Sequence, residues 1–295
     1  MAKIDANIGV IHKALSQFEK GTNIVQGKAF DNIMGSMADL KYTASGTLRP
    51  TSANLRALGT VKGNLGSFLQ ANNQHVTDFV GNYDELERIN KEYYSSISND
   101  FGKASGLEVI KEASKQNLIT GLGAGGVNGT VTAGVLNILY DGMQGGLNRN
   151  DMISQIRAYM LGDKDTHGHL LRYSKQLADD SIDQYDRAID KSVTDSLGFE
   201  WYQYTGGLID TSRPFCVGLT HQRWIHRSEF DKAAKGILRT ETVSRTGMIK
   251  GTNGSNLQLY AGGYQCGHKF RGVTSNSVPK AVRDMVLGDK EEDDD

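Results

Sequence analysis

The sequence predicts an α+β protein that is predominantly α: a helical N-terminal region, a long connecting helix, and a small α+β domain that carries both cysteines. Three observations predict it. Only three prolines (Pro50, Pro214, Pro279) interrupt 295 residues, which leaves long windows open to helix. Apolar residues recur at three- and four-residue intervals through most of the chain before Gly198. After Gly198 the pattern changes to aromatic alternation in FEWYQYTGGLIDT, which reads as a strand running into a turn.

The elements follow in order. From residue 8 to about 100 the periodicity is helical, as in IGVIHKALSQF and KAFDNIMGSMADL. Pro50 ends one segment, and Thr51 or Ser52 is placed to cap the next. In YDELERINKEYYSSI, the residues Leu86, Ile89, Tyr93 and Ile97 form one stripe. GLGAGGVNGT fits the glycine spacing of a dinucleotide fingerprint, with Asp141 twenty positions beyond Gly121. The context is wrong, because a helix precedes it and no alternating strands surround it; a helix-to-helix connection is expected instead. TVTAGVLNILYDGMQGG then reads as a helix stopped by glycine. NRNDMISQIRAYMLG predicts a helix capped by Asn150 or Asp151, with Met152, Ile153, Ile156 and Met160 inward.

The longest helix carries a stripe of Leu170, Tyr173, Leu177, Ile182, Tyr185, Ile189, Val193 and Leu197, ending at Gly198 as C′ residue. Asp179, Asp180, Asp183, Asp186, Arg187 and Asp190 read as its solvated face. RSEFDKAAKGI predicts a short helix, and NLQLYAGGYQCGHKFRGV a strand, a turn and a second strand. The resulting blocks are 1–165 helical, 166–198 the connecting helix, 199–280 the α+β unit, and 281–295 an acidic, disordered tail ending in DKEEDDD.

Composition narrows the function classes. Net charge of −1 argues against a chain that coats nucleic acid, which carries a basic excess. No uninterrupted run approaches the ~18 apolar residues of a membrane span. The start, MAKIDANIGVIHKALSQFEK, lacks the h-region of a secretory signal, so synthesis in a reducing cytoplasm is expected.

Chemistry concentrates in residues 199–280. Cys216, His221, Cys266 and His268 are a candidate zinc set, with Cys216 and His221 forming one arm and Cys266 and His268 the other. The two thiols are also readable as small buried hydrophobes, ahead of metal ligands and of a disulfide formed after release from the cell. Cys216 with His221 or His268 would make a nucleophile and base, but no third orienting partner is legible. Glu229 reads as an isolated acid on a helix surface, and no carboxylate pair stands out for acid–base work. Asp210 and Arg213 are spaced to clamp a turn that Pro214 stiffens. Gly262 and Gly263 permit a tight turn, and Tyr264 can roof the cysteine. Arg223, Arg227, Lys269 and Arg271 are candidate nucleic-acid contacts, together with Arg213.

In the order WYQYTGGLIDTSRPFC, then RWIHRSEF, then GTNGSNLQLYAGGYQCGHKFRGV, the chain resembles phage head-morphogenesis proteins of the Mu F-like minor capsid family. The resemblance covers about 165–280, including the preceding RYSKQLADDSIDQYDRAI helix. It carries over Asp210, Arg213, Pro214, Cys216, Gly262, Gly263, Cys266 and His268. Where relatives commonly show Cys-Arg-His, this chain has Gly267, with Lys269 and Arg271 as the nearby cations. The resemblance implies a minor virion component at or near the portal vertex, acting in head morphogenesis. Its expected partners are the portal or the major capsid protein, with viral DNA a further partner and no membrane in the assembled state. Zinc is the implied cofactor. The alternatives are an internal virion protein ejected with the genome, which the glycine-rich 121–146 stretch suggests, and a metal-dependent nuclease.

Overall fold

The computed structural model describes residues 2–98 and 106–288. It is 66% helical with a small three-stranded antiparallel sheet, so the expected fold class holds. The helices are α1 (Ala2–Met37), α2 (Ser52–Ala71), α3 (Gln74–Ser95), α4 (Leu107–Leu122), α5 (Val127–Gly145), α6 (Arg149–Leu161) and α7 (His169–Ser196). Then come β1 (Trp201–Thr205), α8 (Pro214–Gln222), β2 (Trp224–His226), α9 (Phe230–Ala234), α10 (Leu257–Tyr260), β3 (Lys269–Val273) and α11 (Lys280–Leu287).

These elements form two compact units, and neither is a continuous block of sequence. One comprises Val10–Asn82 and Ser114–Asp179; the other comprises the described residues of Met1–Gly9, Tyr83–Ala113 and Asp180–Asp295. Boundaries placed at 165 and 198 therefore do not coincide with the units. Composition shifts report local chemistry, whereas α1, α3, α4 and α7 each contribute residues to both units.

In the helical unit the core follows the three-four spacing. Leu58, Val61 and Leu65 of α2, Val131, Val135 and Leu139 of α5, and Met152, Ile156 and Met160 of α6 are buried together with Ile33 and Met37. Fully burying each such side chain is worth about 1.5–3 kcal/mol before entropy is subtracted. Thr51 caps α2, its side chain accepting from Asn54 N–H at 3.2 Å. Thr51→Ala is expected to lower stability by about 1 kcal/mol, measured as a shift in the urea midpoint at unchanged m. The cap of α6 is Asn148, two or three residues earlier than the sequence suggests; its extended backbone lets Oδ1 accept from Asp151 N–H at 3.0 Å. Asn54 is buried and holds the preceding loop, accepting from Lys41 N–H and donating to the Lys41 and Arg49 carbonyls, each at 2.8 Å.

The glycine-rich stretch is the expected helix-to-helix connection, between α4 and α5. Leu107–Gly145 does contain an 18-residue window with mean hydropathy 1.2, contrary to the reading of uninterrupted apolar runs. Valine, leucine and isoleucine raise that mean while few charges lower it. The helix breaks after Leu122 and restarts at Val127, and the inner side of α5 is spent on the helical core.

In the other unit the strand order is β2-β1-β3, both pairs antiparallel, with Tyr202 opposite Ile225 and Gly272, and Tyr204 opposite Phe270. Alternation in β1 sends Tyr202 and Tyr204 into a core with Phe215, Leu219, Phe230 and Phe270. Trp201 faces the other way, with Val273, Val278 and α11 residues Val282 and Val286.

Three expectations change here. NLQLY is one helical turn and not a strand. Asn256 Oδ1 accepts from Asn253 N–H and its carbonyl accepts from Leu259 N–H, which starts helix locally. Residues 280–287 form α11, so the part of the expected tail before Gly288 is helical, while DKEEDDD lies outside the described residues. The polar face of α7 is only partly solvated: Asp186, Arg187 and Asp190 are 3%, 3% and 0% exposed. Cations of β3 and carbonyls of the 259–268 segment lie against it, and this long-range pairing replaces water.

Candidate functional site: a Cys2His cluster

Two loops converge on the cysteines. Pro214 stands at the first helical position of α8, where its missing N–H costs nothing and its fixed φ suits the helix. That start turns Phe215, Cys216 and Leu219 inward. The second arm leaves α10 through Ala261, Gly262 and Gly263 and enters β3 through Cys266 and His268. Gly262 is required by contact: a Cβ there would lie 2.3 Å from Cys216 Sγ and 2.9 Å from Cys266 Sγ. Gly263 is required by conformation, with φ +105°, and its missing Cβ leaves room for the Gly247 carbonyl.

Cys216 Sγ and Cys266 Sγ are 3.7 Å apart, and Cys266 Sγ lies 3.7 Å from His268 Nδ1. Both cysteines are reduced, and all three side chains are buried. Tyr204 donates its hydroxyl to Cys216 Sγ at 3.6 Å and stacks on the His268 imidazole at 5.3 Å and 6°. Gly206, at φ +142°, gives the other close approach, since a Cβ there would meet the imidazole at 2.5 Å. The hydrogen bond between the sulfurs holds Cys266 well below the usual thiol range against burial, with His268 helping. The same bond and burial push Cys216 up.

This donor set suits a soft d10 cation. Tetrahedral zinc, with Zn–S of about 2.3 Å and Zn–N of about 2.0–2.1 Å, has S···S edges of about 3.8 Å and S···N edges of about 3.5 Å. The observed separations are 3.7 Å in both cases, and the three donor atoms lie within 4.8 Å of one another. His268 Nε2, on the far side of the ring, is buried with no hydrogen-bond partner among the described residues.

The remaining sequence candidates divide clearly. His221 stands outside this group, exposed on α8. Five residues along a helix turn it about 140° away from Cys216. Asp210 is exposed, and Arg213 does not close its own turn; its Nη2 donates to the Tyr264 carbonyl at 2.6 Å, tying the two arms together. Tyr264 is 52% exposed and contributes that carbonyl; the roof over the thiol is Tyr204. Glu229 is not isolated, for it pairs with Arg239 and accepts from His226 N–H at 2.9 Å.

The basic quartet does not assemble as a surface. Lys269 is buried against Asp186 and Asp190. Arg271, 1% exposed, sits 3.7 Å from Asp190, donates to Asn90 at 2.8 Å and lies over the Tyr93 ring. Arg227 is paired with Asp195 at 2.7 Å, and Arg223 lies over Trp224. Their place in a strand covered on both faces buries Lys269 and Arg271, and carboxylates of α7 balance those two.

Sequence reasoning missed Tyr204, Gly206 and Arg187. Arg187 donates to the His268 and Leu259 carbonyls at 3.1 and 3.3 Å and so holds both ends of the second arm. A Gly-Gly pair directly after an aromatic strand was the available signal for Gly206 and Tyr204. No protein-family model, curated protein or solved structure matches the chain.

Proposed function

We propose that this chain is a minor structural protein of a phage virion, acting in head morphogenesis at or near the portal vertex. In this reading the Cys2His cluster is a zinc-held knot that rigidifies its unit. The observation that carries the structural part is the convergence of two motif segments, 50 residues apart, on donors that are 2%, 4% and 6% exposed. A buried set of thiolates and imidazole that closes two loops supplies three of the four ligands a structural zinc takes. The virion assignment is supported by the resemblance in motif order and by the mutual packing of the residues it carries over: Pro214, Cys216, Gly262, Gly263, Cys266 and His268 all belong to one knot. The helical unit is the surface assigned to the portal or major capsid protein.

The enzymatic alternative has less support, since enclosed donors leave no approach for a scissile phosphate. The ejection alternative rests on a flexible 121–146 stretch. Gly121, Gly126, Gly129, Gly134 and Gly142 there are each so closely packed that a Cβ would collide with Leu177, Gly121, Ala124, Tyr159 or Met152. These glycines serve close packing. DNA contact loses Lys269 and Arg271 to the interior and keeps Arg223 and Arg227.

Cross-linking mass spectrometry on purified particles and procapsids tests the assignment. Cross-links from the helical unit to portal or coat protein in both are expected, and absence from both removes the reading. Elemental analysis of the full chain tests the metal: one zinc per chain is expected, falling below a tenth of that in Cys216→Ser, since removal of one of three ligands dismantles the site.

A further inference from the structure

Resting on the metal reading, we propose that Cys216 and Cys266 form a redox-controlled staple: they hold the ion while reduced and close to a disulfide, releasing it, when a peroxide reaches them. The sulfurs already touch at 3.7 Å with no atom to displace between them. A disulfide needs about 2.05 Å, so closure asks for an approach of about 1.7 Å.

The two sulfurs are differently mounted. Cys216 is fixed within α8, among Phe215, Leu219 and Phe270. Cys266 rides on the 261–267 loop, in which Ala261, Gly263 and Gln265 all have positive φ, at +43°, +105° and +53°. Non-glycine residues in that region are held by their surroundings and not by local preference. Tyr264, Gln265 and Gly267 on the same loop are exposed, so this is the side from which a small oxidant arrives. Gly262 lies against both sulfurs without a side chain and lets the loop shift towards α8.

The chemistry balances with hydrogen peroxide as oxidant. The Cys266 thiolate takes one oxygen, forming a sulfenic acid and releasing hydroxide. The Cys216 thiolate, released by the metal, then attacks Cys266 Sγ, the S–O bond breaks, and a second hydroxide leaves. Two electrons pass from the thiols to the peroxide. The metal, left with the imidazole alone among the three donors, goes to solvent. A resolving thiol already in contact with the oxidised one favours the disulfide over further oxygenation.

The test uses the purified full chain, with zinc content measured first. Hydrogen peroxide is added, remaining thiols are alkylated, and intact mass and zinc release to a chromogenic chelator are followed together. The expected result is a loss of about 2 Da with no alkylation, release of about one zinc per chain on the same time course, and reversal of both by dithiothreitol plus zinc. Cys216→Ser and Cys266→Ser are expected to show no such loss and to gain oxygen at the remaining thiol. Wild-type protein that gains oxygen at both thiols without cross-linking overturns the proposal, whatever its zinc content. A chain isolated without zinc that still loses about 2 Da overturns the metal reading and the coupling, leaving only a dithiol.

Discussion

Replacing Asp190 by alanine is expected to destabilise the unit containing it by about 3–5 kcal/mol, the cost of leaving a buried countercharge unpaired. Asp190 has no exposed surface. It faces Lys269 at 3.3 Å and Arg271 at 3.7 Å, and it accepts the Tyr94 hydroxyl at 2.6 Å. Asp186 completes the group, accepting from Asn90 at 2.7 Å and Asn7 at 3.2 Å and pairing with Lys269. Removing one carboxylate leaves two buried cations sharing one counterion. Against a typical total of about 5–15 kcal/mol, that is a large fraction. Urea unfolding of the full chain, read by tryptophan fluorescence, checks it; a midpoint within error of wild type would overturn the ion network as described. Replacing Asp186, Asp190, Lys269 and Arg271 together by apolar residues of similar volume is expected to cost much less, because no orphan charge remains.

The same network gives a pH dependence. Burial works to raise Asp186, but Lys269 and Arg271 beside it prevail and hold its carboxyl below the usual range. The folded state therefore binds this proton less readily than the unfolded chain does. Its contribution is fully present above the unfolded carboxylate value of about 3.9 and is lost as pH falls through the depressed folded value. Stability measured from pH 6 downwards is expected to fall across that acid window, and Asp186→Asn is expected to flatten the dependence.

Gly262→Ala is the second substitution with a large effect. Its Cβ would lie 2.3 Å from one sulfur and 2.9 Å from the other, well inside van der Waals contact. Relief requires the sulfurs to part, which undoes the spacing a metal needs. Overpacking of this kind costs about 1–3 kcal/mol in an ordinary core. Here the expected outcome is that loss together with zinc content near zero. Gly267→Ala, where a Cβ meets nothing within 4 Å, is the matched control and is expected to retain both metal and melting temperature. Equal zinc in the two variants would show that the sulfurs do not share a ligand.

Periodicity made the helices legible because helix is a local decision. Leu86, Ile89, Met152, Ile156, Ile182 and Ile189 could be placed inward without knowing what they would face. The Cys2His set was partly legible for another reason: thiols are scarce here, and glycine beside a cysteine signals close approach. His221 failed because sequence distance says nothing about which side of a short helix a residue takes. Asp186, Asp190, Lys269 and Arg271 were misread because a charged residue looks solvated until its partner is known. Those partners lie 83 residues apart in one case and 181 in another. No local pattern encodes such a pairing.

The discontinuous unit also sets a timetable for synthesis. Asn90 and Tyr94 emerge from the ribosome long before their partners, and Arg271 follows Asn90 by 181 residues. At bacterial-to-eukaryotic elongation rates of about 5–20 residues per second, that interval is about 9–36 seconds. For the first 96 residues of it the inner side of α3, with Leu86, Ile89 and Tyr94, has no α7 carboxylates to meet, and for all of it no β3 cations. A nascent chain at that stage exposes this apolar side, the kind of surface that makes folding intermediates prone to aggregate. Residues 199–295 released alone would carry Lys269 and Arg271 without the counterions Asp186 and Asp190.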